Sequence, residues 1–276
     1  LWIALCFSSL STTIRIAETS LQYHPIPGHH ALASNVRADL HPSYILHRRP
    51  YRETSLILEC LSADYGRVGV VARGAMRGRK RGGETMQVFQ PCQISWSGRS
   101  ELRTLIKFEP VGNSLQLVGE RLFSGFYVNE LTMRMTTRQD PNLELYSVYQ
   151  QTILSLARTS AAIELILRRF EKSLLDACGY GMQLLAEANS GADIDPAQSY
   201  RYAVEHGPDP SSNAPDGILV SGQTLLALAG CREFEADELR QAKRLMRFVL
   251  PHYIGDRPLS SRSLFRKPNR NNPSPK

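Results

Sequence analysis

The stretch RGAMRGRKRGG, from Arg73 to Gly83, is the part of the chain whose residue types point most directly to a chemistry. It carries five positive charges in eleven residues and no acidic residue. Lysine and arginine side chains bind phosphate groups, and glycine lets a backbone follow a phosphate chain closely. The stretch could be a solvated loop, a disordered insert or a surface that binds a polyanion. The structure predicted for the segments on either side of the basic stretch decides between these three possibilities.

Charge is distributed unevenly along the chain. The 276 residues carry a net charge of +7, and the sequence pI is about 9.3. Residues 40–110 have a net charge of +6, residues 111–239 of −8 and residues 240–276 of +9. Two basic regions therefore flank an acidic middle, a pattern typical of nucleic-acid binding. The plainer alternative is that any protein of this pI contains basic stretches.

The sequence lacks the common motifs of catalysis and metal binding. It has no GxxxxGK[ST] phosphate-binding loop, no GxGxxG after a strand and no HExxH pair. The five cysteines are scattered and include no CxxC pair, which is typical of a protein from a reducing cytoplasm. We therefore predict no metal, no cofactor and no enzymatic activity.

The segments around the basic stretch predict a small β-barrel. They are short, rich in apolar and β-branched residues, and separated by turn residues. The predicted strands are Thr54–Ser62, Arg67–Gly74, Met86–Trp96 (with Pro91 at an edge or bulge) and Leu102–Val111. Four or five such strands match the size of an OB-fold barrel, a common binder of single strands. We interpret the basic stretch, which lies between two strands, as one wall of a polyanion-binding surface.

After Gly112 the apolar spacing becomes helical, so the predicted class is α+β. Asn142 and Ser160 are the predicted N-caps of the second and third helices, and the last helix should end at Gly255. The predicted divisions are an irregular extension at 1–39, an OB-fold domain at 40–114, a helical domain at 115–266 with a small hairpin near 198–222, and a disordered tail at 267–276.

The N-terminal run LWIALCFSSL is too short and too polar to predict a membrane helix, so we expect no membrane partner. It also lacks the basic residues that open a signal peptide. We interpret residues 1 to about 35 as lying outside the folded unit, with a degenerate targeting segment as the alternative.

Basic residues of the barrel region are the candidate DNA contacts. They are Arg48, Arg49, Arg52, Arg67, Arg73, Arg77, Arg79, Lys80, Arg81, Arg99 and Arg103. The candidate stacking platforms are Tyr51, Tyr65, Phe89 and Trp96. Core packing is the alternative for each aromatic residue, and it is the preferred one for Phe89 and Trp96. The last helix adds a basic surface made of Arg240, Lys243, Arg244 and Arg247.

Six stretches, taken in order, resemble the RecO family of bacterial recombination mediators. They are RPYRETSLILECLSADYGRVGVVARGA, QPCQISWSGRSELRTL, LFSGFYVNEL, LRRFEKSLLDACGYG, SYRYAVEHG and RQAKRLMRFVLPHYIGDRPLSSRSLFR. The resemblance runs from about Tyr44 to Arg266. It implies an N-terminal OB fold, a helical domain, binding of single- and double-stranded DNA, annealing of complementary strands, and loading of RecA onto SSB-coated single-stranded DNA.

The resemblance also implies partners. They are RecR, the acidic C-terminal tail of SSB and, indirectly, RecA, in the cytoplasm at the nucleoid. The family's tail pocket lies in the helical domain, which makes Arg168 and Arg169 the candidates, with Arg168 as the preferred one. The alternative is that they pair with Glu164 and Glu171 on their own helix. The four cysteines that bind zinc in some members are missing here, so the resemblance implies no zinc.

Two other hypotheses compete with this one. An OB-fold RNA-binding or ribosome-associated protein would show the same charge pattern. A nuclease with an unrecognised metal site is the second alternative.

Overall fold

Short apolar segments between His41 and Pro110 close into a five-stranded barrel in the computed structural model of the chain. The structure describes residues 39–76, 86–112, 115–210, 217–255 and 257–265. The barrel strands are β1 (His41–Tyr51), β2 (Ser55–Ser62), β3 (Gly66–Ala72), β4 (Pro91–Ser97) and β5 (Leu102–Pro110). Their order is β1-β2-β3-β5-β4, with β4 returning to β1 and with β3 and β5 running parallel. This is the predicted OB-fold arrangement, which is confirmed.

Side chains fill the interior of the barrel. Alternate residues of a strand point to opposite faces, and on β3 the inward residues Val68, Val70 and Ala72 are at most 2% exposed. The residues between them, including Gly69 and Val71, point outward. Because the interior is packed, any ligand must bind on the outside of the barrel.

The predicted strand over Met86–Trp96 is only partly correct. The observed strand, β4, begins at Pro91, so this proline lies at the start of a strand and not in a bulge. Phe89 has a φ of 67°, in the left-handed region, and this interrupts the extended backbone. Its ring is buried beside Gly125, where an added Cβ would lie 2.9 Å from two ring carbons. Packing of this ring against the next domain therefore delays the start of the strand to Pro91.

Helical periodicity after residue 115 produces the second domain. Its helices, within the described residues, are α1 (Glu120–Met135), α2 (Leu143–Arg158), α3 (Ile163–Ala177), α4 (Gly222–Ala229) and α5 (Ala236–Ile254), followed by a 3-10 helix at Ser260–Phe265. The hairpin expected near 198–222 takes the form of a three-stranded sheet, ordered β7 (Gly207–Asp209), β6 (Ser199–Ala203), β8 (Ile218–Ser221). Among the helices that the structure describes, none has both the length and the apolar character needed to cross a lipid bilayer.

Helix ends follow the capping residues in two of three predicted cases. The Oδ1 atom of Asn142 accepts a hydrogen bond from the backbone N–H of Leu145 at 2.8 Å, at the start of α2. Gly255 ends α5 with a φ of 77°. The predicted cap at Ser160 is wrong, because α3 begins after Ala162, which has no side-chain acceptor.

The outer face of β1 and β2 is buried against the helical domain. Tyr44, Leu46 and Leu61 belong to the same apolar core as the helices. Asn129 of α1 is 2% exposed; its Nδ2 donates to the carbonyl of Leu46 at 2.7 Å, and its Oδ1 accepts from the Tyr149 hydroxyl at 2.7 Å. These contacts fix the helical domain to one side of the barrel.

Glu130 of α1 anchors the 3-10 helix. Its Oε2 accepts from the backbone N–H and the hydroxyl of Ser261 at 2.8 and 2.6 Å, and its Oε1 accepts from the N–H of Ser260 at 2.9 Å. Burial alone would raise the pKa of this carboxyl, but these hydrogen bonds and the charge of Arg134 lower it below the ordinary value. The group is therefore ionised at neutral pH.

We expect Asn129→Ala to lower the free energy of unfolding by about 2–3 kcal/mol, because it leaves a buried carbonyl and a buried hydroxyl without a partner. Urea denaturation measures the change. The control Gln151→Ala, on the exposed side of α2, should shift the value by less than about 0.5 kcal/mol. A loss no larger than that of the control would show that the Asn129 bridge does not hold the two domains together.

Candidate nucleic-acid interface

The helical domain leaves the end of β3 around Val71 and the start of β5 open, and a groove of about 690 Å³ lies there. We call it the outer groove. The β1–β2 turn, the outward residues of β3 and the start of β5 form its walls. Its lining residues include Tyr51, Arg52, Val71, Arg73, Leu102 and Thr104, together with one acid, the exposed Glu53. The groove is open to solvent, as an extended chain would need.

Two arginines supply the positive charge of the outer groove. Arg52, in the β1–β2 turn, and Arg73, after β3, are both exposed. The guanidinium of Arg52 lies 5.1 Å from the centre of the Tyr51 ring, a cation–π contact worth about 0.5–1 kcal/mol at an exposed site. Arg52 has a φ of 53°, so the turn bends sharply here. The outer groove therefore contains an aromatic face and two cations.

The start of the basic stretch is held beside this turn. The backbone N–H of Met76 donates to the carbonyl of Thr54 at 3.0 Å, which brings the chain after Arg73 against the rim of the outer groove. Four of the predicted contacts, Arg77, Arg79, Lys80 and Arg81, lie outside the described residues. Their predicted role stays a prediction.

Three other candidates lie elsewhere on the barrel surface. Arg48 is half-buried and its Nη1 donates to the carbonyl of Met86 at 2.9 Å, beside a second groove between the barrel and α1. Arg49 is exposed on β1, and Arg99 is exposed in the β4–β5 turn. The outer groove therefore contains Arg52 and Arg73 but not Arg48.

Arg67 and Arg103 are engaged inside the protein. The Nη1 of Arg67 lies 3.3 Å from the carboxylate of Glu59, and its Nη2 donates to the carbonyl of Thr136 at 2.8 Å. Arg103 is half-buried, and its guanidinium lies 5.7 Å from the centre of the Trp96 ring. Neither side chain lines the outer groove, so we do not propose either as a DNA contact.

The four candidate platforms divide between core and surface. Phe89 is 3% exposed and Trp96 is 0% exposed, so both pack in the core, as we predicted for these two residues. Tyr65 is half-buried and packs edge to face on Trp96, with ring centres 5.2 Å apart. Tyr51 is the candidate that lines the outer groove.

The two arginines of α3 have different surroundings. Arg168 is 5% exposed, and its Nη2 lies 2.5 Å from the Oε1 of Glu171, which also accepts from the Tyr127 hydroxyl at 2.6 Å. Burial raises the pKa of Glu171, against the opposing effect of Arg168 and these hydrogen bonds. Arg169 is exposed and lies 3.2 Å from Glu233. Arg169 is thus the accessible member of the pair.

Part of the basic surface of α5 is neutralised by neighbouring acids. Arg240 pairs with Asp237, and the Nζ of Lys243 lies 2.5 Å from Glu164 on α3. Arg244 and Arg247 are exposed. The acidic middle of the sequence therefore supplies counter-ions to the basic last helix.

Sequence reasoning missed one arginine that touches the barrel face. Arg138 belongs to the connection between α1 and α2, and it contacts Glu59 of β2 and Glu101 of the β4–β5 turn. Its position in the acidic middle of the chain gave no sign of this. The only local signal is the polar sequence TTRQDPN, which predicts a connection but not what it touches.

Within the described residues, no group of three or more His, Cys, Asp or Glu side chains is placed to hold a metal ion. Cys60 and Cys92 are buried inside the barrel. Burial raises the pKa of the Cys92 thiol to about 12, which keeps it protonated at neutral pH.

Comparison with known proteins covers most of the chain. The family model "Recombination protein O N terminal" matches residues 41–114, and "Recombination protein O C terminal" matches residues 116–263. The chain is 45% identical to the DNA repair protein RecO of Alkalilimnicola ehrlichii over 237 residues, which are 85% of this chain and 93% of that protein. For the DNA repair protein RecO of Methylococcus capsulatus the identity is 46% over 231 residues, 83% of this chain and 94% of the relative.

We expect the double variant Arg52→Gln/Arg73→Gln to bind a fluorescent single-stranded oligodeoxynucleotide more weakly and with a smaller salt dependence. Each phosphate contact that is lost should reduce the slope of log K against log salt by about 0.7. Fluorescence anisotropy over a salt series measures both. The charge-matched variant Arg244→Gln/Arg247→Gln should lose less affinity; an equal or larger loss there would move the principal site to α5.

Proposed function

This chain belongs to the RecO family of DNA repair proteins, and we propose that it binds single- and double-stranded DNA, anneals complementary strands and helps to load RecA onto SSB-coated single-stranded DNA. The observation that carries the proposal is the outer groove. It presents Arg52, Arg73 and the ring of Tyr51 on the barrel face that the helical domain leaves open. The basic stretch begins at its rim.

The chemistry of the groove supports contacts to the DNA backbone. Arginines bind phosphates, and an aromatic face stacks on any base, so neither group selects a sequence. Binding of this kind suits a protein that must act on any single strand. The proposed DNA contacts are Arg48, Arg49, Arg52, Arg73, Arg77, Arg79, Lys80, Arg81 and Arg99, with Arg244 and Arg247 as a further basic surface.

Annealing needs no catalytic group. Two complementary strands repel each other through their phosphates, and a basic surface that holds both lowers that repulsion. Base pairing then proceeds without a covalent step. The proposed activity is therefore non-enzymatic.

The same proposal includes protein partners. An acidic tail with a free carboxylate would pair with an exposed arginine, since guanidinium and carboxylate form paired hydrogen bonds. Arg169 of α3 is exposed next to Glu233 and can exchange that partner, whereas Arg168 would have to leave the buried Glu171. We propose Arg169 as the contact for the SSB tail. RecR is a further proposed partner, and the protein would act on RecA indirectly. The proposed place of action is the nucleoid in the cytoplasm.

We expect the protein-assisted rate of annealing of two complementary oligonucleotides to fall steeply between about 50 and 200 mM salt, because salt weakens phosphate contacts. Annealing without protein serves as the control and should become faster over the same range, because salt screens the repulsion between strands. A protein-assisted rate that does not fall would contradict the electrostatic mechanism.

We expect Arg169→Ala to weaken binding of SSB by about tenfold, the effect of losing one charge-assisted hydrogen bond. Pull-down and calorimetry with intact SSB and with SSB lacking its acidic tail measure this. Arg158→Ala, an exposed arginine at the end of α2, is the control. Equal binding of the two SSB forms would favour the RNA-binding alternative over a mediator.

A further inference from the structure

Arg138 reaches the barrel from the helical domain. Its segment crosses the start of β3 closely, since the backbone N–H of Gln139 donates to the carbonyl of Arg67 at 2.9 Å. A Cβ at Gly66 would overlap the carbonyl oxygen of Asp140, so the position has no room for a side chain. The connection between α1 and α2 is thus held against the barrel, and the backbone at Arg138 is fixed in position.

The guanidinium of Arg138 lies over the outward side of β3. A Cβ at Gly69 would be 3.2 Å from the Nη2 of Arg138. Gly69 pairs with Glu59 on β2 and with Leu102 on β5, so these three residues form one row across the sheet. Leu102 and Val71, the next outward residue of β3, both line the outer groove. Arg138 therefore lies at the end of that groove.

The ion pairs of Arg138 are unequal. Glu59 has a side-chain exposure of 15% and is shared by Arg138 and Arg67. Glu101 has a side-chain exposure of 85%, and its carboxylate lies 3.6 Å from the Nη1 of Arg138. An exposed pair at this distance contributes little energy. Glu101 is thus the partner that solvent or an anion can replace.

The charge balance around Arg138 changes when Glu101 leaves. Glu59 carries one negative charge, and Arg67 and Arg138 carry one positive charge each. Without Glu101 the group has a net charge of +1, beside Leu102 of the outer groove. A phosphate is the anion that this groove would meet if the proposed function holds.

We propose that Arg138, supplied by the helical domain, is a phosphate-binding residue of the outer groove. Glu101 pairs with the Arg138 guanidinium until a DNA phosphate takes the place of the Glu101 carboxylate. Along β3, Gly69 and Arg73 are four residues apart, about 13 Å. The groove then has cations at both ends, Arg73 and Arg52 at one and Arg138 at the other. A single strand would run between them over Val71 and Thr104.

The test compares Glu101→Gln with Glu109→Gln. Both remove one negative charge from the barrel, but Glu109 pairs with Lys107 near the far end of β5. We expect Glu101→Gln to tighten binding of a fluorescent oligo(dT), followed by anisotropy, by up to about 5-fold, the upper range for releasing an exposed ion pair. Glu109→Gln should change it by less than about twofold. Equal gains in the two variants would overturn the proposal.

A double-mutant cycle with Arg138→Gln makes the test specific. In that background the gain from Glu101→Gln should shrink to that of Glu109→Gln, because no arginine remains to be released. Arg138→Gln alone should reduce the salt slope by about 0.7, and Arg138→Lys should keep it. A gain that persists without Arg138, or a slope that does not change, would overturn the proposal.

Two further outcomes separate the possible failures. If Arg138→Gln does not fold, because Glu59 loses one of its two partners, the comparison of Glu101→Gln with Glu109→Gln decides alone. Wild-type protein that fails to bind DNA would overturn both this inference and the proposed function. Wild-type protein that binds DNA, with equal effects at Glu101 and Glu109, would overturn only the inference.

Discussion

The helical domain packs on β1 and β2, and this contact decides which surface of the barrel stays accessible. A small barrel with a filled interior can bind a polymer only on its outside. The helices cover one side of the outer surface, where Tyr44, Leu46 and Leu61 share their apolar core. The buried Asn129 bridge fixes this contact. What remains includes the end of β3 and the start of β5, and the outer groove lies there.

Several acidic residues, one in the barrel and others in the helical domain, act as internal partners. Glu59 holds Arg67 and Arg138, Glu171 holds Arg168, and Glu130 holds the backbone of the 3-10 helix. A sum of charges over a stretch of sequence therefore does not give the charge of a surface. The outer groove stays positive although the domain beside it is rich in acids.

The elements could be predicted from the sequence wherever a local signal decides the structure. Apolar alternation and turn residues predict the barrel, and Asn142 predicts the start of α2. Prediction failed where a distant contact decides. The backbone of Phe89 adopts the left-handed conformation, and its ring packs on α1. Helix α3 starts at Ile163, without the cap expected from Ser160.

The candidate site could be predicted only as a set of charges. Arg52 and Arg103 look alike in the sequence, yet one lines the outer groove and the other lies over Trp96. Arg52 belongs to a turn, whereas strand register places Arg103 beside the inward Val70. Arg138 lies far along the chain from the barrel, and nothing in its neighbourhood indicates which surface it contacts. Such positions require the tertiary structure.

The shared core also has a consequence for synthesis on the ribosome. The barrel strands emerge before α1 and α2, and the parallel pairing of β3 with β5 delays closure until residue 104 has emerged. A newly closed barrel presents Tyr44, Leu46 and Leu61 to water until the helices arrive to cover them. During that interval the nascent chain carries an apolar patch of the kind that chaperones recognise and that promotes aggregation. A barrel fragment made alone would keep this patch permanently.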